Sequence, residues 1–207
     1  MIGWDAVIVA GGRGSRLGGA SKPDLTVGGM TLLDRTLAAV VSARRVALVG
    51  GPRREGVLWA IEDPPGSGPA KALAAGLAAL TEHAPWTVVL AVDTPRAADA
   101  VPRLLAAIAD AGEGRSAGAE GSAGAEGSAA GDGIDGAWFV DEEGEAQPLL
   151  AMYRTAALLN RTRDLESGTS MRRLVADLTM VAVPDVDGVA RDLDTWGDAQ
   201  FWKEQLG

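Results

Sequence analysis

The sequence contains no cysteine and a single histidine among its 207 residues. Disulfide bonds, thiolate metal sites and cysteine nucleophiles are therefore excluded, and a histidine-based catalytic triad or zinc site is disfavoured. The one histidine, His83, lies in Thr-Glu-His-Ala-Pro at the predicted end of a helix, where a capping or surface role accounts for it. Any chemistry must come from other side chains.

An excess of basic residues is also lacking, because 19 Lys and Arg residues stand against 28 Asp and Glu residues, a net charge of −9. Proteins that bind duplex nucleic acid usually carry a basic excess, so we expect no nucleic-acid partner. Long apolar runs and an amino-terminal signal pattern are lacking too, so we expect no membrane association and a cytoplasmic location. A chain of this length with 47% hydrophobic residues can bury one core, which predicts a single domain over 1–207.

Apolar, β-prone runs alternate with segments of helical periodicity along most of the chain. Strands are predicted at 5–10, 45–49, 57–61, 87–92, 136–140, 148–153 and 180–183. Helices are predicted to begin near Thr31 and to span 70–81, 96–111, 156–163, 170–178 and a terminal segment up to Leu206. This order indicates an α/β fold with a mostly parallel central sheet flanked by helices.

Residues 112–133 differ in composition from the rest of the chain. Gly-Ala-Glu-Gly-Ser-Ala occurs twice in succession between Gly118 and Ala129, and such small and acidic residues have little to bury. A segment of this kind cannot offset the entropy lost on ordering. We therefore predict a disordered surface insertion at 112–133 and assign it no chemistry.

The first predicted strand runs into a glycine-rich stretch, 11–19, that is accompanied by three cations, Arg13, Arg16 and Lys22. Glycines let the backbone approach an anion closely, so that successive N–H groups point at phosphate oxygens while the cations supply full charges. The pattern indicates a phosphate-binding loop. On composition alone, the alternative is an ordinary solvated loop between a strand and a helix.

The spacing of this loop excludes the two commonest phosphate-binding motifs. A Walker loop ends in Gly-Lys-Ser/Thr, whereas Lys22 is followed by Pro23 and lies well past the glycines. The dinucleotide fingerprint Gly-x-Gly-x-x-Gly fails because Leu17 occupies its last position.

A carboxylate follows the buried strand predicted at 87–92, in the sequence Asp93-Thr94-Pro95. The carboxyl end of a buried strand is a suitable place for a Mg²⁺ ligand, and Mg²⁺ is usually held by one or two carboxylates together with substrate phosphates. The alternative is that Asp93 caps the helix that follows.

The stretch from Ala10 to Lys22 resembles the signature Ala-Gly-Gly-x-Gly/Ser-x-Arg-Met/Leu-Gly-x-x-Lys of the MobA-like NTP transferase family. Asp93-Thr94-Pro95 matches that family's Asp-Thr/Met-Pro motif. The resemblance implies a Rossmann-like nucleotidyltransferase fold and Mg²⁺-dependent transfer of a nucleotidyl group to a phosphorylated small molecule. For the activity that gives the family its name, the nucleotide is GTP, the acceptor is molybdopterin, and pyrophosphate is released.

The resemblance also implies roles for individual residues. The implied catalytic residues are Arg16, Lys22 and Asp93. The implied nucleotide-binding residues are Val9, Ala10, Gly11, Gly12, Gly14, Ser15, Lys22, Asp63 and Gly68. The implied metal ligands are Asp93 with Asp192 or Asp194, the last two of which have capping of the terminal helix as an alternative role. The candidate on the acceptor side is Gln147. Arg172 and Arg173, at the start of the helix predicted from Ser170, could also meet the acceptor's phosphate, and a solvated basic face is their alternative role.

Departures from the family pattern leave the nucleotide open. Val49 stands where an asparagine is usual, Lys71 and Ala72 interrupt Gly-Pro-Leu-Ala-Gly, and Trp196 replaces a proline. Asp63 favours a purine, because a carboxylate accepts hydrogen bonds from the amino and imino groups of guanine, although it also suits the start of a Pro-Pro turn. A cytidylyltransferase or sugar-phosphate nucleotidyltransferase of the same fold, and a noncatalytic nucleotide-binding protein, are the alternatives.

Overall fold

A computed structural model describes residues 2–11, 19–116, 133–141, 143–166 and 168–207, with the side chains of 113–116 left out. The strands are β1 (Trp4–Val9), β2 (Thr26–Val27), β3 (Met30–Thr31), β4 (Val46–Val49), β5 (Leu58–Ala60), β6 (Trp86–Ala91), β7 (Gly136–Val140), β8 (Ala146–Arg154) and β9 (Met180–Pro184). The helices are α1 (Leu32–Ala39), α2 (Pro69–Ala79), α3 (Ala97–Ser116), α4 (Thr155–Thr162), α5 (Met171–Val175) and α6 (Trp196–Leu206).

Seven of these strands form one sheet in the order β5-β4-β1-β6-β8-β7-β9, and β2 pairs with β3 in a separate hairpin. All neighbours in the large sheet are parallel except β6 with β8 and β7 with β8, so β8 alone runs in the opposite direction. The predicted α/β fold with a mostly parallel central sheet is therefore confirmed.

Helices cover both faces of the sheet, and β1 shows why. All six of its residues are buried, and successive side chains point to opposite faces. Ala6 and Ile8 belong to a core cluster that includes residues of α1, α3 and α6. Val7 and Val9 belong to a second cluster that includes residues of α2, α4 and α5. Within the described parts of the chain, no helix has both the length and the hydropathy of a membrane span.

The predicted elements agree with the structure to within a few residues, with one correction at the predicted insertion. Helix α3 continues to Ser116, so residues 112–116 are helical and the prediction of disorder was wrong for them. Among the residues of α3 up to 112, whose burial is described, Ile108 is the last buried one, and composition alone gave no reason to extend the helix past it. Once a helix has nucleated, however, each added residue gains a backbone hydrogen bond at little cost. The repeat at 118–129 lies outside the described residues.

The segments that follow β1, β4 and β6 lie side by side at the carboxyl edge of the sheet. Ala10 N–H donates to the Val49 carbonyl at 2.9 Å, and Val92 N–H donates to the Val9 carbonyl at 3.1 Å. Gly50 has φ of +73°, and a Cβ there would stand 3.0 Å from the backbone N and Cα of Gly11. A side chain at that position would therefore separate the turn after β4 from the chain that leaves β1.

Helix α2 also packs unusually close to the sheet, through Gly76. A Cβ on Gly76 would lie 2.5 Å from Val7 Cγ1 and 2.9 Å from Val49 Cγ2. Both valines are fully buried, so their methyl groups have little room to move. This glycine sets the distance between α2 and the two strands that end beside Gly11 and Gly50.

We predict that Gly76→Ala lowers the free energy of unfolding by about 1 to 3 kcal/mol, because the added methyl group overpacks a rigid core. The matched control is Gly112→Ala in α3, where nothing lies within 4 Å of the added Cβ. This control should raise the free energy of unfolding by up to about 1 kcal/mol through helix propensity. Urea unfolding of both variants measures the two effects, and equal stabilisation by both would contradict the packing.

Candidate active site

Lys22 lies between two carboxylates at the carboxyl edge of the sheet. Its ammonium nitrogen donates a hydrogen bond to Asp93 Oδ2 at 2.8 Å and another to Asp194 Oδ1. The side chains of Lys22, Asp93 and Asp194 are 18%, 21% and 35% exposed. The structure thus brings together three residues that the sequence had assigned to catalysis or to metal binding.

Two of these residues are positioned by the segments that follow strands. Asp93 comes two residues after β6, and its backbone carbonyl accepts a hydrogen bond from Leu193 N–H at 2.8 Å. Leu193 is fully buried, which anchors the segment leading to Asp194 against the end of β6. Lys22 begins a short 3-10 turn whose next residue, Pro23, is buried.

Asp194 is positioned by the amino-terminal cap of α6. Asp198 Oδ2 accepts hydrogen bonds from the backbone N–H groups of Asp194 at 3.3 Å and Thr195 at 2.9 Å. The Thr195 hydroxyl in turn accepts from Asp198 N–H, completing a reciprocal capping box. The hydrogen bond from the Thr195 side chain holds the pKa of Asp198 below its ordinary value. Arg191 donates to Asp198 Oδ1 and stacks over the ring of Phe201.

The charges around Lys22 favour its protonated form. Burial acts to lower the pKa of Lys22, but the negative charge of Asp93 and the hydrogen bonds to Asp194 and Asp93 outweigh it, so the pKa is raised. Asp192 is exposed overall, but its carboxyl group is partly shielded from water by the surrounding protein. This desolvation, together with the negative charges of Asp194 and Asp93, raises the pKa of Asp192. Three carboxylates therefore contribute to one negative field around the ammonium group of Lys22.

Without Lys22 between them, the two carboxylates could hold a hard divalent cation. Asp93 and Asp194 present oxygens to one point, and Mg²⁺ commonly takes one or two carboxylates with the remaining positions filled by water and substrate phosphates. Among the residues that the structure describes, no group of three or more acidic or histidine side chains is arranged to hold a metal. Asp194, rather than Asp192, contacts Lys22 and is the better placed of the two metal candidates.

The residues assigned to the nucleotide's base lie along the same edge. Val9 and Ala10 are buried at the end of β1, and Gly11 is exposed immediately after them. Gly68 is the amino-terminal cap of α2, with φ of +98°. Asp63 is exposed, whereas its neighbour Glu62 is buried and accepts a hydrogen bond from Gly66 N–H at 2.9 Å.

The other residues assigned to the loop lie outside the described residues; they are Gly12, Arg13, Gly14, Ser15 and Arg16.

The acceptor-side candidates lie on β8 and at the start of α5. Gln147, near the amino end of β8, pairs in register with Phe139 and donates to Asp141 Oδ2 at 3.2 Å. Because β8 is antiparallel to β6, this end of β8 lies at the same edge of the sheet as Asp93. Arg172 forms an ion pair with Glu145.

Ser170 caps α5 by accepting a hydrogen bond from Arg173 N–H at 3.2 Å. Over the described residues, no hydrogen bond or ion pair links Gln147, Ser170, Arg172 or Arg173 to Lys22 or Asp93.

Sequence reasoning missed two features of this site. It placed Lys22 on the phosphates and Asp93 on a metal, without expecting the two side chains to contact each other. It also passed over Asp198, although Thr195-x-x-Asp198 has the spacing of a capping box directly after Asp194. The first feature has no local sequence signal, whereas the second does.

Several solved structures share the fold. Molybdopterin-guanine dinucleotide biosynthesis protein A from Archaeoglobus fulgidus is 20% identical, with 97% of each chain covered and a TM-score of 0.66. Rv0371c from Mycobacterium tuberculosis is 18% identical, with 98% of each chain covered and a TM-score of 0.71. The 2-C-methyl-D-erythritol 4-phosphate cytidylyltransferase from Thermus thermophilus is 19% identical, with 96% of each chain covered and a TM-score of 0.63.

At these identities the structural likeness shows the fold alone, and no curated protein matches the chain significantly. The family comparison goes further, because the sequence model of the family described as MobA-like NTP transferase domain matches residues 6–183. That match supports a nucleotidyltransferase without selecting its substrates. The chain belongs to the MobA-like NTP transferase family.

Proposed function

We propose that this protein is a Mg²⁺-dependent nucleotidyltransferase that transfers GMP from GTP to molybdopterin and releases pyrophosphate. The observation that carries the proposal is the convergence of Lys22, Asp93 and Asp194 at the carboxyl edge of the sheet, beside the end of β1 from which the glycine-rich loop departs. Ligands of open α/β sheets bind at this edge. The single domain 1–207 and a cytoplasmic location are part of the same proposal.

In this proposal the nucleotide lies across the ends of β1, β4 and β6. Its base is near 9–11 and Asp63, with Gly68 opening α2 beside it, and its triphosphate is on the backbone of 11–16 with Arg16. Lys22 supplies a positive charge to the α-phosphate. Its pKa is raised further above neutrality, so the side chain carries its positive charge at neutral pH. The carboxylates of Asp93 and Asp194 would hold Mg²⁺, which supplies further neutralisation of phosphate charge.

The reaction needs no covalent intermediate on the protein. A phosphate oxygen of the acceptor forms a bond to the α-phosphorus of the nucleotide, and the bond from that phosphorus to the bridging oxygen of the β-phosphate breaks. The electron pair leaves with pyrophosphate. The protein contributes positioning and electrostatic stabilisation, which provide most of the catalysis in phosphoryl-type transfers. Gln147, Arg172 and Arg173 are the proposed contacts for the acceptor.

A cytidylyltransferase is the second candidate. Val49 is fully buried and offers no polar side chain to a base, while Lys71 and Ala72 change the first turn of α2. One of the solved structures that share the fold is a cytidylyltransferase, although that likeness shows only the fold. Against this, Asp63 is exposed and available to accept hydrogen bonds from guanine. A noncatalytic nucleotide-binding protein would have no need to keep Lys22 and Asp93 together.

Thermal unfolding in the presence of Mg²⁺ and each of GTP, CTP, ATP and UTP tests the choice of nucleotide. At a concentration about 100 times the dissociation constant, a ligand adds about 2.7 kcal/mol of stability. For a domain of this size that corresponds to a rise in melting temperature of about 5 to 10 °C. We expect this rise with GTP alone. A rise with CTP alone would replace the guanylyl proposal by the cytidylyl one, and no rise with any nucleotide would contradict both.

We further predict that Asp93→Asn abolishes turnover, lowering pyrophosphate release by at least about a hundredfold, because a neutral amide is a poor ligand for Mg²⁺. Circular dichroism should show a folded variant. The matched control is Asp187→Asn, which removes an exposed carboxylate that pairs with Arg103 and Arg96. The control should keep full activity. An active Asp93→Asn variant would contradict the assignment of Asp93.

A further inference from the structure

The two carboxylates proposed as magnesium ligands already share a cation, and that cation belongs to the protein. Lys22 Nζ contacts Asp93 Oδ2 and Asp194 Oδ1, the oxygens that face each other across the site. We propose that the Asp93–Asp194 pair is a cation site that the Lys22 ammonium fills until a triphosphate draws the lysine away, after which the pair takes Mg²⁺. The step that involves the triphosphate rests on the proposed function.

The ammonium group and the metal exclude each other by geometry. Magnesium binds oxygen at about 2.0 to 2.1 Å, so a metal bound to both carboxylates would occupy the space between them. Lys22 Nζ stands in that space, 2.8 Å from Asp93 Oδ2. Two positive charges at such a distance also repel strongly in a partly buried site. Mg²⁺ can therefore bind the pair only when Lys22 has left it.

The negative charges of the carboxylates explain why a cation is held between them. Asp93 and Asp194 are partly withdrawn from water, and Asp192 adds a third negative charge to the same field. Carboxylates that are brought together in a partly buried site are costly without a counter-charge. In the nucleotide-free protein, Lys22 contributes positive charge to both carboxylates. The apparent affinity for a metal is then the intrinsic affinity of the open pair multiplied by the fraction of molecules in which the pair is open.

The ammonium group of Lys22 can move from the carboxylates to another anion while the main chain stays in place. The neighbouring residue Pro23 is buried, and the backbone carbonyl of Lys22 accepts a hydrogen bond from Leu25 N–H at 3.1 Å. The main chain at Lys22 is therefore anchored. The ammonium stands on a flexible four-carbon stem and can turn toward a new anion without moving that anchor. A bound triphosphate offers such an anion. The exchange of Lys22 from carboxylates to phosphates would make metal binding depend on the nucleotide.

Metal binding without nucleotide tests this directly, with Mn²⁺ as a paramagnetic probe that stands in for Mg²⁺. We expect Lys22→Met to bind Mn²⁺ at least about tenfold more tightly than the unmodified protein, as measured by electron paramagnetic resonance. The control for a general charge effect is Arg96→Met, which removes a cation three residues from Asp93 whose partners are Asp99 and Asp187. Equal affinity in the unmodified protein and Lys22→Met, or an equal gain in both variants, would overturn the proposal.

A second measurement does not depend on the Lys22→Met variant being folded. The chain has three lysines, Lys22, Lys71 and Lys203, so ¹⁵N labelling of lysine gives few side-chain ammonium signals to assign. We expect inorganic triphosphate with Mg²⁺ to shift the Lys22 signal, and Mg²⁺ alone at the same concentration to leave it unchanged. A Lys22 signal that stays unchanged in both cases, or that Mg²⁺ alone displaces fully, would overturn the proposal.

The failure of this inference and the failure of the proposed function are distinguishable. If the protein transfers GMP but Lys22→Met gains no affinity for Mn²⁺, only the shared cation site is wrong. If Lys22→Met gains affinity but the protein transfers no nucleotide, the cation site stands and the proposed function is wrong.

Discussion

The ion pairs of Lys22 with Asp93 and Asp194 are the interaction on which the site depends. They join a residue that follows β1 to carboxylates 71 and 172 residues further along the chain. Such distant segments meet because β1, β6 and β9 all end at one edge of the sheet. The hydrogen bond between Leu193 and Asp93 then closes the carboxyl-terminal segment onto the end of β6. The sheet, the short turn that begins at Lys22 and the cap of α6 together hold the three charged groups in place.

These ion pairs are poor candidates for stabilising the fold. Bringing charges out of water costs free energy that their mutual attraction often only offsets, so partly buried ion pairs contribute little net stability. The apolar clusters on the two faces of the sheet supply the driving force instead. A charged cluster at the edge of such a core is better explained by a role in binding or catalysis than by a role in stability. In a nucleotidyltransferase, the same charges would recognise phosphates and a divalent cation.

Much of the fold could be predicted from the sequence, because its strong signals are local. The apolar run at 5–10 and the pattern from Thr31 onward predict β1 and the capped start of α1, where Thr31 accepts a hydrogen bond from Asp34. Asp93 was correctly placed after a buried strand. The contact between Lys22 and Asp194 could not be predicted, because no local pattern encodes a pairing across 172 residues. The end of α3 was missed because helix propagation, rather than burial, decides it.

We propose that the site around Lys22 transfers GMP from GTP to molybdopterin. The measurement that tests it most directly uses GTP labelled at the α-phosphate, with Mg²⁺, molybdopterin and the purified protein. If the account is correct, the label appears in a molybdopterin–GMP product, and one pyrophosphate is released for each product formed. Label that stays in GTP, or that appears in GMP without joining the acceptor, would contradict it.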